Sequence, residues 1–329
     1  MPSLPADDPI DVVYTWVDDA WPGYLAALRG YAATRHDLNP NRTRDNLQIL
    51  KYSLRSLARF LPWARRVYLV TCRPQVPEWL NAAAVTLVHH DEFMPADHLP
   101  TFNSFAIVSH LHRLPGLARR FVYIEDDRLL GRAVTPADFF DERGRVRIYE
   151  ALRGTAGAAR QHANGASPWN LALAHSNALL DARFGPKRRG QLKFGLLAVE
   201  RDSWAAMLDE WPGDFARTAA SRFRAESNVA PEHLYPYYLL ETGRGVRVPR
   251  LTMLRHAWYQ PLNNVTALQV AGLARLRWFS PRFVCLNDNF GARPNPAAVA
   301  VVRRALVRWF PTPSRFERQA QAIDVTRAW

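Results

Sequence analysis

The chain has 329 residues, 48% of them hydrophobic, with 11 Trp and a formal net charge of +13. That length and apolar content exclude a disordered chain and suffice for one large α/β domain or two smaller ones, each with a real core. No apolar run approaches the roughly 20 residues of a membrane-spanning helix, and the start MPSLPADDPID lacks the basic-then-apolar order of a secretory leader.

The basic residues are almost all Arg, the only lysines being Lys51, Lys187 and Lys193. Such an excess favours anionic partners: nucleotide phosphates, acidic polymers or a lipid surface. The Arg are scattered and no nucleic-acid motif is present, so nucleic acid is not an expected partner. Cys72 and Cys285 stand alone, with neither zinc spacing nor a disulfide framework. A cytoplasmic location is the expectation.

In chain order, residues 10–17 (IDVVYTWV) read as a first buried strand. Asp45 can cap a helix in which Leu47, Leu50, Leu54, Leu57 and Leu61 recur at helical spacing, with Pro62 at its end. Residues 66–71 and 85–88 are the next strands. Asn103 or Ser104 can cap a helix with Ile107, Val108, Leu111 and Leu114 on its apolar face. Residues 121–124 then form a continuous apolar run, as in a strand buried on both faces of a parallel sheet. Strand, helix, strand, strand, helix, strand is a nucleotide-binding type of α/β order.

Beyond about residue 135 the pattern weakens. Residues 141–148 hold a Gly144 turn between extended pieces, and 154–168 read as a small, polar loop. Helices are expected at 203–208, 232–241 and 296–310, the last with Pro296 in its first turn, and a strand at 246–248.

Two adjacent carboxylates, Asp126 and Asp127, follow the apolar run at 121–124. The carboxyl ends of strands are where open α/β sheets bind ligands. Paired carboxylates there can hold a hard divalent cation against a diphosphate; the plainer reading is one helix or turn cap and one solvated side chain.

The residues match a known family in four ordered blocks: IDVVYTWVD at 10–18, the stretch from RDNLQILKYS to IEDDRLLG at 44–131, the stretch from HSNALLDARFG to PYYLLETGR at 175–244, and FVCLNDNF at 283–290 followed by WFPTPSRFE at 309–317. In these blocks the chain resembles the Stealth proteins, which include bacterial capsular polysaccharide phosphotransferases and the N-acetylglucosamine-1-phosphotransferase that tags lysosomal enzymes. The resemblance implies transfer of a sugar-1-phosphate from a nucleotide-sugar, a UDP-sugar being the expected donor, to a hydroxyl of a glycan acceptor. It implies an α/β fold with a Rossmann-like nucleotide-sugar transferase core, a mostly parallel sheet and a helical C-terminal half. The expected organisation is a single catalytic domain over 1–329, with a nucleotide-binding half at 10–131 and an acceptor half at 132–329.

Phosphoryl transfer needs charge neutralisation and in-line positioning more than covalent chemistry. Asp126 and Asp127 are the expected ligands of Mg2+ or Mn2+, with Asp127 also placed among the catalytic residues. Thr15, Trp16 and Asp18 end the first strand, where the backbone can meet a nucleotide; Trp16 reads equally as core. Arg44 and Asn46 lie before the long helix, near its positive end, a natural phosphate site. Asn287 and Asp288 in CLNDN suit sugar hydroxyls and cation respectively, or a tight turn. Arg224 carries a planar fork that matches phosphate, and the resemblance makes it catalytic. Asn103 can orient donor or acceptor, or act only as a cap.

One position departs from the family. Where the resemblance places an essential His, this chain has Phe194, which cannot accept a proton. Asp18, His162 and His175 are the alternative bases, although each His also reads as a satisfied surface or cap residue. The departure leaves open a catalytically inactive relative that binds nucleotide-sugar or glycan. A conventional glycosyltransferase releasing nucleoside diphosphate is the other alternative. The Arg-rich surface can also meet anionic lipid at the inner face of a membrane.

Overall fold

The computed structural model describes residues 8–34, 37–38, 47–154, 167–192, 196–249 and 256–318. Its first sheet contains β1 (Ile10–Thr15), β2 (Val67–Thr71), β3 (Thr86–His89) and β4 (Arg120–Glu125), with β9 (Leu197–Glu200) at one edge, in the order β3–β2–β1–β4–β9. The first four strands are parallel and β9 runs antiparallel to β4. Consecutive residues such as Val12 and Val13 are both fully buried, so each face of the sheet is covered, as parallel sheets require.

The helices between these strands are α1 (Tyr24–Tyr31), α2 (Ile49–Phe60) and α3 (Ser104–Ser109). The first strand ends at Thr15, short of the expected Val17, because the chain turns at Asp18. Helix α2 starts at Ile49 after Gln48 adopts a left-handed φ of 53°; the expected cap Asp45 lies outside the described residues. Asn103 does cap α3, accepting the Phe105 N–H at 3.1 Å, but the helix gives way after Ser109 to a tighter turn.

Asp11, fully buried in β1, shows how the strand starts are tied. It accepts Arg65 Nε at 2.9 Å, Arg65 Nη2 at 2.6 Å, and the backbone N–H groups of Arg66 and Ala118 at 3.2 and 2.7 Å. A buried carboxylate is tolerated only when paired and hydrogen-bonded in this way.

A second sheet consists of β11 (Ala257–Leu262), β12 (Phe283–Asp288) and β5 (Arg128–Leu130), in that order. The short strand β5 follows the acidic pair directly and runs antiparallel to β12. It is pinned to α2: Ser53 Oγ donates to the Arg128 carbonyl, and Ser56 Oγ accepts the Leu130 N–H at 3.0 Å. Gly131 is required next, since a Cβ there would fall 2.2 Å from the Pro281 carbonyl oxygen. Helices α8 (Thr266–Phe279) and α9 (Pro296–Trp309) cover one face of this sheet, packing Leu273, Leu276, Val299, Val302 and Leu306 with Leu129, Val284 and Leu286.

Between the sheets in sequence lie β6 (Val146–Ile148), β7 (Glu150–Gly154), α4 (Pro168–Phe184), β8 (Gly190–Leu192), α5 (Arg201–Glu210), α6 (Pro212–Ala220), α7 (Pro231–Glu241) and β10 (Gly245–Arg247). The Gly144 turn is present, with Asp141 Oδ1 accepting the N–H groups of Arg143 and Arg145. Helices α1, α4, α6 and α8 were not apparent in the sequence. The buried side of α4 is Ala172, Leu173, Ala174, Ser176 and Leu180, too small and polar to make an apolar stripe. That of α8 includes Gln269, while Leu268 and Val270 face outward.

Candidate active site

Strands β1 and β4 are neighbours in register, so Thr15 stands beside Glu125 at the carboxyl edge of the first sheet. Thr15 Oγ1 is 3.0 Å from the Tyr123 hydroxyl. Asp126 and Asp127 come next and carry the chain from the first sheet to the second. Arg128 folds back onto Asp127 and Glu125. Its Nε donates to Asp127 Oδ1 at 3.0 Å and its Nη2 pairs with Glu125, leaving the side chain 12% exposed. Burial disfavours the Arg128 charge, but Glu125, Asp127 and Cys285 outweigh it and raise the guanidinium pKa well above its usual value.

Strand β12 brings the fourth sequence block to the same place. The Leu286 N–H donates to the Asp127 carbonyl at 2.9 Å, and the Cys285 thiol lies 3.4 Å from Asp127 Oδ2. Burial first, and then Asp127, push the Cys285 thiol pKa up. Side chains alternate along a strand, so Asn287 shares the acidic face with Cys285, whereas Asp288 shares the helix-covered face with Leu286. Asp288 Oδ1 accepts the Phe290 N–H at 3.0 Å, a turn contact. The expected set Asp126, Asp127 and Asp288 does not gather: among the described residues no three His, Cys, Asp or Glu form a metal-binding group. One residue of strand parity separates Asp288 from Asp127, which lies beside Cys285.

Arg224 comes from the loop before α7 to the start of α3. Its Nη2 donates to Ser104 Oγ at 2.7 Å and its guanidinium lies 5.3 Å from the Phe105 ring centroid. Asn103, fully buried, holds that loop in place. Its Nδ2 faces Ser221 O at 3.0 Å, Phe223 O at 3.3 Å and Asn228 Oδ1 at 2.8 Å. Asn103 therefore serves the protein, and bears on the site through Arg224.

The sequence reading missed Glu232, in the first turn of α7. Burial first, and then the Glu125 charge, push its carboxyl pKa up to about 7; Arg224 and Arg128 pull the other way. Its Oε2 is buried and, among the described residues, takes no hydrogen bond. A carboxyl that titrates near neutrality can hold or release a proton under working conditions. No sequence signal marks it, because only the fold brings it near Glu125. Tyr259, opposite Cys285 on β11, was missed for the same reason. Arg128 adjoins the acidic pair in the sequence itself.

Other expected residues fall elsewhere. Trp16 is 4% exposed and belongs to the main core. Asp18 Oδ1 accepts the Ala20 N–H at 2.9 Å, while its backbone is clasped by Gln75. His175 Nε2 is 3.1 Å from Asp214 Oδ1, joining α4 to α6. Arg44, Asn46, His162 and Phe194 lie outside the described residues.

Asp126 and Asp127 fit a small divalent cation in one respect. Magnesium is commonly held by one or two carboxylates and completes its shell with substrate phosphates and water. A two-aspartate edge meets that requirement without a third protein carboxylate.

Three family models match the chain: Stealth protein CR2, conserved region 2, over residues 42–148; CR3, conserved region 3, over 197–241; and CR4, conserved region 4, over 274–326. An exopolysaccharide phosphotransferase of Streptomyces coelicolor is 36% identical over 331 residues, across 95% of this chain and 58% of its own length. The exopolysaccharide phosphotransferase CpsY of Mycobacterium tuberculosis is 33% identical over 328 residues, across 97% of this chain and 59% of its own. The chain thus spans somewhat under two thirds of the curated relatives it matches. Among solved structures, an active-site mutant of LgtC aligns with a TM-score of 0.43 at 11% identity, covering 93% of this chain and 98% of that one. Mouse xyloside xylosyltransferase 1 aligns with a TM-score of 0.39 at 10% identity, covering 87% and 100%. With the three conserved regions together spanning well over half of it, the chain belongs to the Stealth family.

Proposed function

We propose that the protein is a phosphotransferase of exopolysaccharide synthesis that moves a sugar-1-phosphate from a nucleotide-sugar, in the first instance a UDP-sugar, to a hydroxyl of a glycan. One observation carries this reading: in a chain related to named exopolysaccharide phosphotransferases, Asp126 and Asp127 stand at the carboxyl edge of a parallel sheet, with the strand that carries Asn287 meeting Asp127 through Cys285. The acceptor oxygen bonds to the phosphorus next to the donor sugar, the bond from that phosphorus to the bridging oxygen breaks, and a nucleoside monophosphate leaves, the hydroxyl proton passing to the leaving phosphate or to water.

Asp126 and Asp127 would hold Mg2+ or Mn2+, which when bound supplies charge neutralisation for the diphosphate. Arg128 fixes Asp127 so that one carboxylate edge keeps its direction. Arg224 offers a permanent positive charge to phosphate oxygens. Thr15, beside Glu125, and Asn287 would meet donor or acceptor hydroxyls. Asp18 contributes through the turn it closes after β1.

A second reading, a relative that binds nucleotide-sugar without turnover, is favoured by Phe194. One incubation separates the readings. Purified protein is mixed with nucleotide-sugars, acceptor glycan and magnesium or manganese, and phosphorus is followed by NMR. A new phosphodiester with nucleoside monophosphate supports the phosphotransferase. Nucleoside diphosphate would refute it in favour of a conventional glycosyltransferase, and donor binding without turnover would refute it in favour of the inactive relative. Asp127→Ala should abolish turnover and its response to added cation.

A further inference from the structure

Helices α8 and α9 pack against each other on one face of the second sheet. Their inward sides are settled: Leu273 and Leu276 from α8, Val302 and Leu306 from α9. Helical periodicity then fixes what points away from the protein. On α8 this is Ala271, Arg275 and Trp278; on α9 it is Arg304, Val307 and Arg308. Trp278 is 84% exposed, and Leu268, Val270 and Val307 are each more than half exposed.

The charge on this layer has one sign. Neither helix contains an acidic residue, while Arg275, Arg277, Arg303, Arg304 and Arg308 all lie on the exposed sides. Exposed aromatic and aliphatic groups set among arginines, on helices lying side by side, match a surface that is apolar beneath and anionic on top. Water satisfies the arginines but not Trp278, and a neutral apolar surface does the reverse. The geometry also leaves the chemistry clear of this layer, since Cys285 and Asp127 meet on the opposite face of the same sheet.

We propose that the outer face of α8 and α9 is a docking surface for an anionic lipid bilayer. The inference does not rest on the phosphotransferase reading, and its test does not use activity. The full chain is sedimented with phosphatidylcholine vesicles and with vesicles that also contain phosphatidylglycerol. Binding is expected to the anionic vesicles only, and to be released by salt. Trp278→Ser and the double variant R304E/R308E should each weaken it by at least about tenfold, with unchanged thermal unfolding because all three side chains are exposed. Equal binding by both variants, or no binding by the parent chain, overturns the proposal. So does a stable dimer in light scattering that Trp278→Ser converts to monomer, which would make the face an interface between copies.

Discussion

Asn103 Nδ2 lies 2.8 Å from Asn228 Oδ1, tying the start of α3 to the loop that carries Arg224. The pair acts as one unit, since Asn228 Oδ1 also accepts the Ala225 N–H at 3.0 Å. Asn103→Ala removes a helix cap and leaves buried polar groups unpaired, at a cost of about 2 kcal/mol. Asn228→Ala should cost a similar amount, and the double variant much less than the sum. Denaturant unfolding of the three variants tests this; simple additivity would refute the shared role.

Asp11 makes a different demand. Asp11→Ala strips four donors of their acceptor in a buried site, including two backbone N–H groups. The expected loss is about 3 kcal/mol or more, seen as a lower denaturation midpoint. Donor affinity, measured calorimetrically well below that midpoint, should not change.

Glu232 gives stability a pH dependence of unusual sign. The folded chain keeps this proton up to about pH 7, whereas an ordinary Glu releases it near 4.5. Across that window the unfolded state binds fewer protons, so this contribution to stability falls as pH rises and is fully lost above about 7, a change of about 3 kcal/mol. Glu232→Gln has no proton to lose. The difference in unfolding free energy between parent and variant should therefore shift in the variant's favour from pH 4.5 to about 8. A constant difference would show that Glu232 titrates normally.

His90, His112 and His233 slope the opposite way. Burial pushes each pKa down to about 4 from 6.5. Their contribution is complete above 6.5 and is lost as pH falls through that range, because the unfolded chain takes up protons that the folded chain refuses, by about 3 kcal/mol per ring. Ring-proton NMR between about pH 7 and 5 should show these three imidazoles neutral throughout. A ring that titrates near 6.5 is not buried as described.

The four parallel strands of the first sheet were legible because a both-faces-buried strand must be apolar along most of its length, as residues 121–124 are; its antiparallel edge strand β9 was not. The acidic pair was legible because it follows such a strand directly. Other parts of the site obey rules that a linear reading does not contain. Asp288 and Asn287 are adjacent in sequence but face opposite sides of β12. Glu232 feels the Glu125 charge only because the fold brings α7, far along the chain, within range of it. The cap at Asn103 was legible as one of two readings, the other being a donor or acceptor contact, yet its larger duty, fixing the Arg224 loop, depends on Asn228, 125 positions away. Helix α4 hid because alanines and a serine make up most of its buried side.

Glu125 ends a strand of one sheet and Arg128 begins a strand of the other. Only Asp126 and Asp127 lie between them, so the two carboxylates sit on the short stretch of chain that joins the sheets. The spacing of the pair is therefore dictated from both ends, by the register of β4 on β1 and by that of β5 on β12.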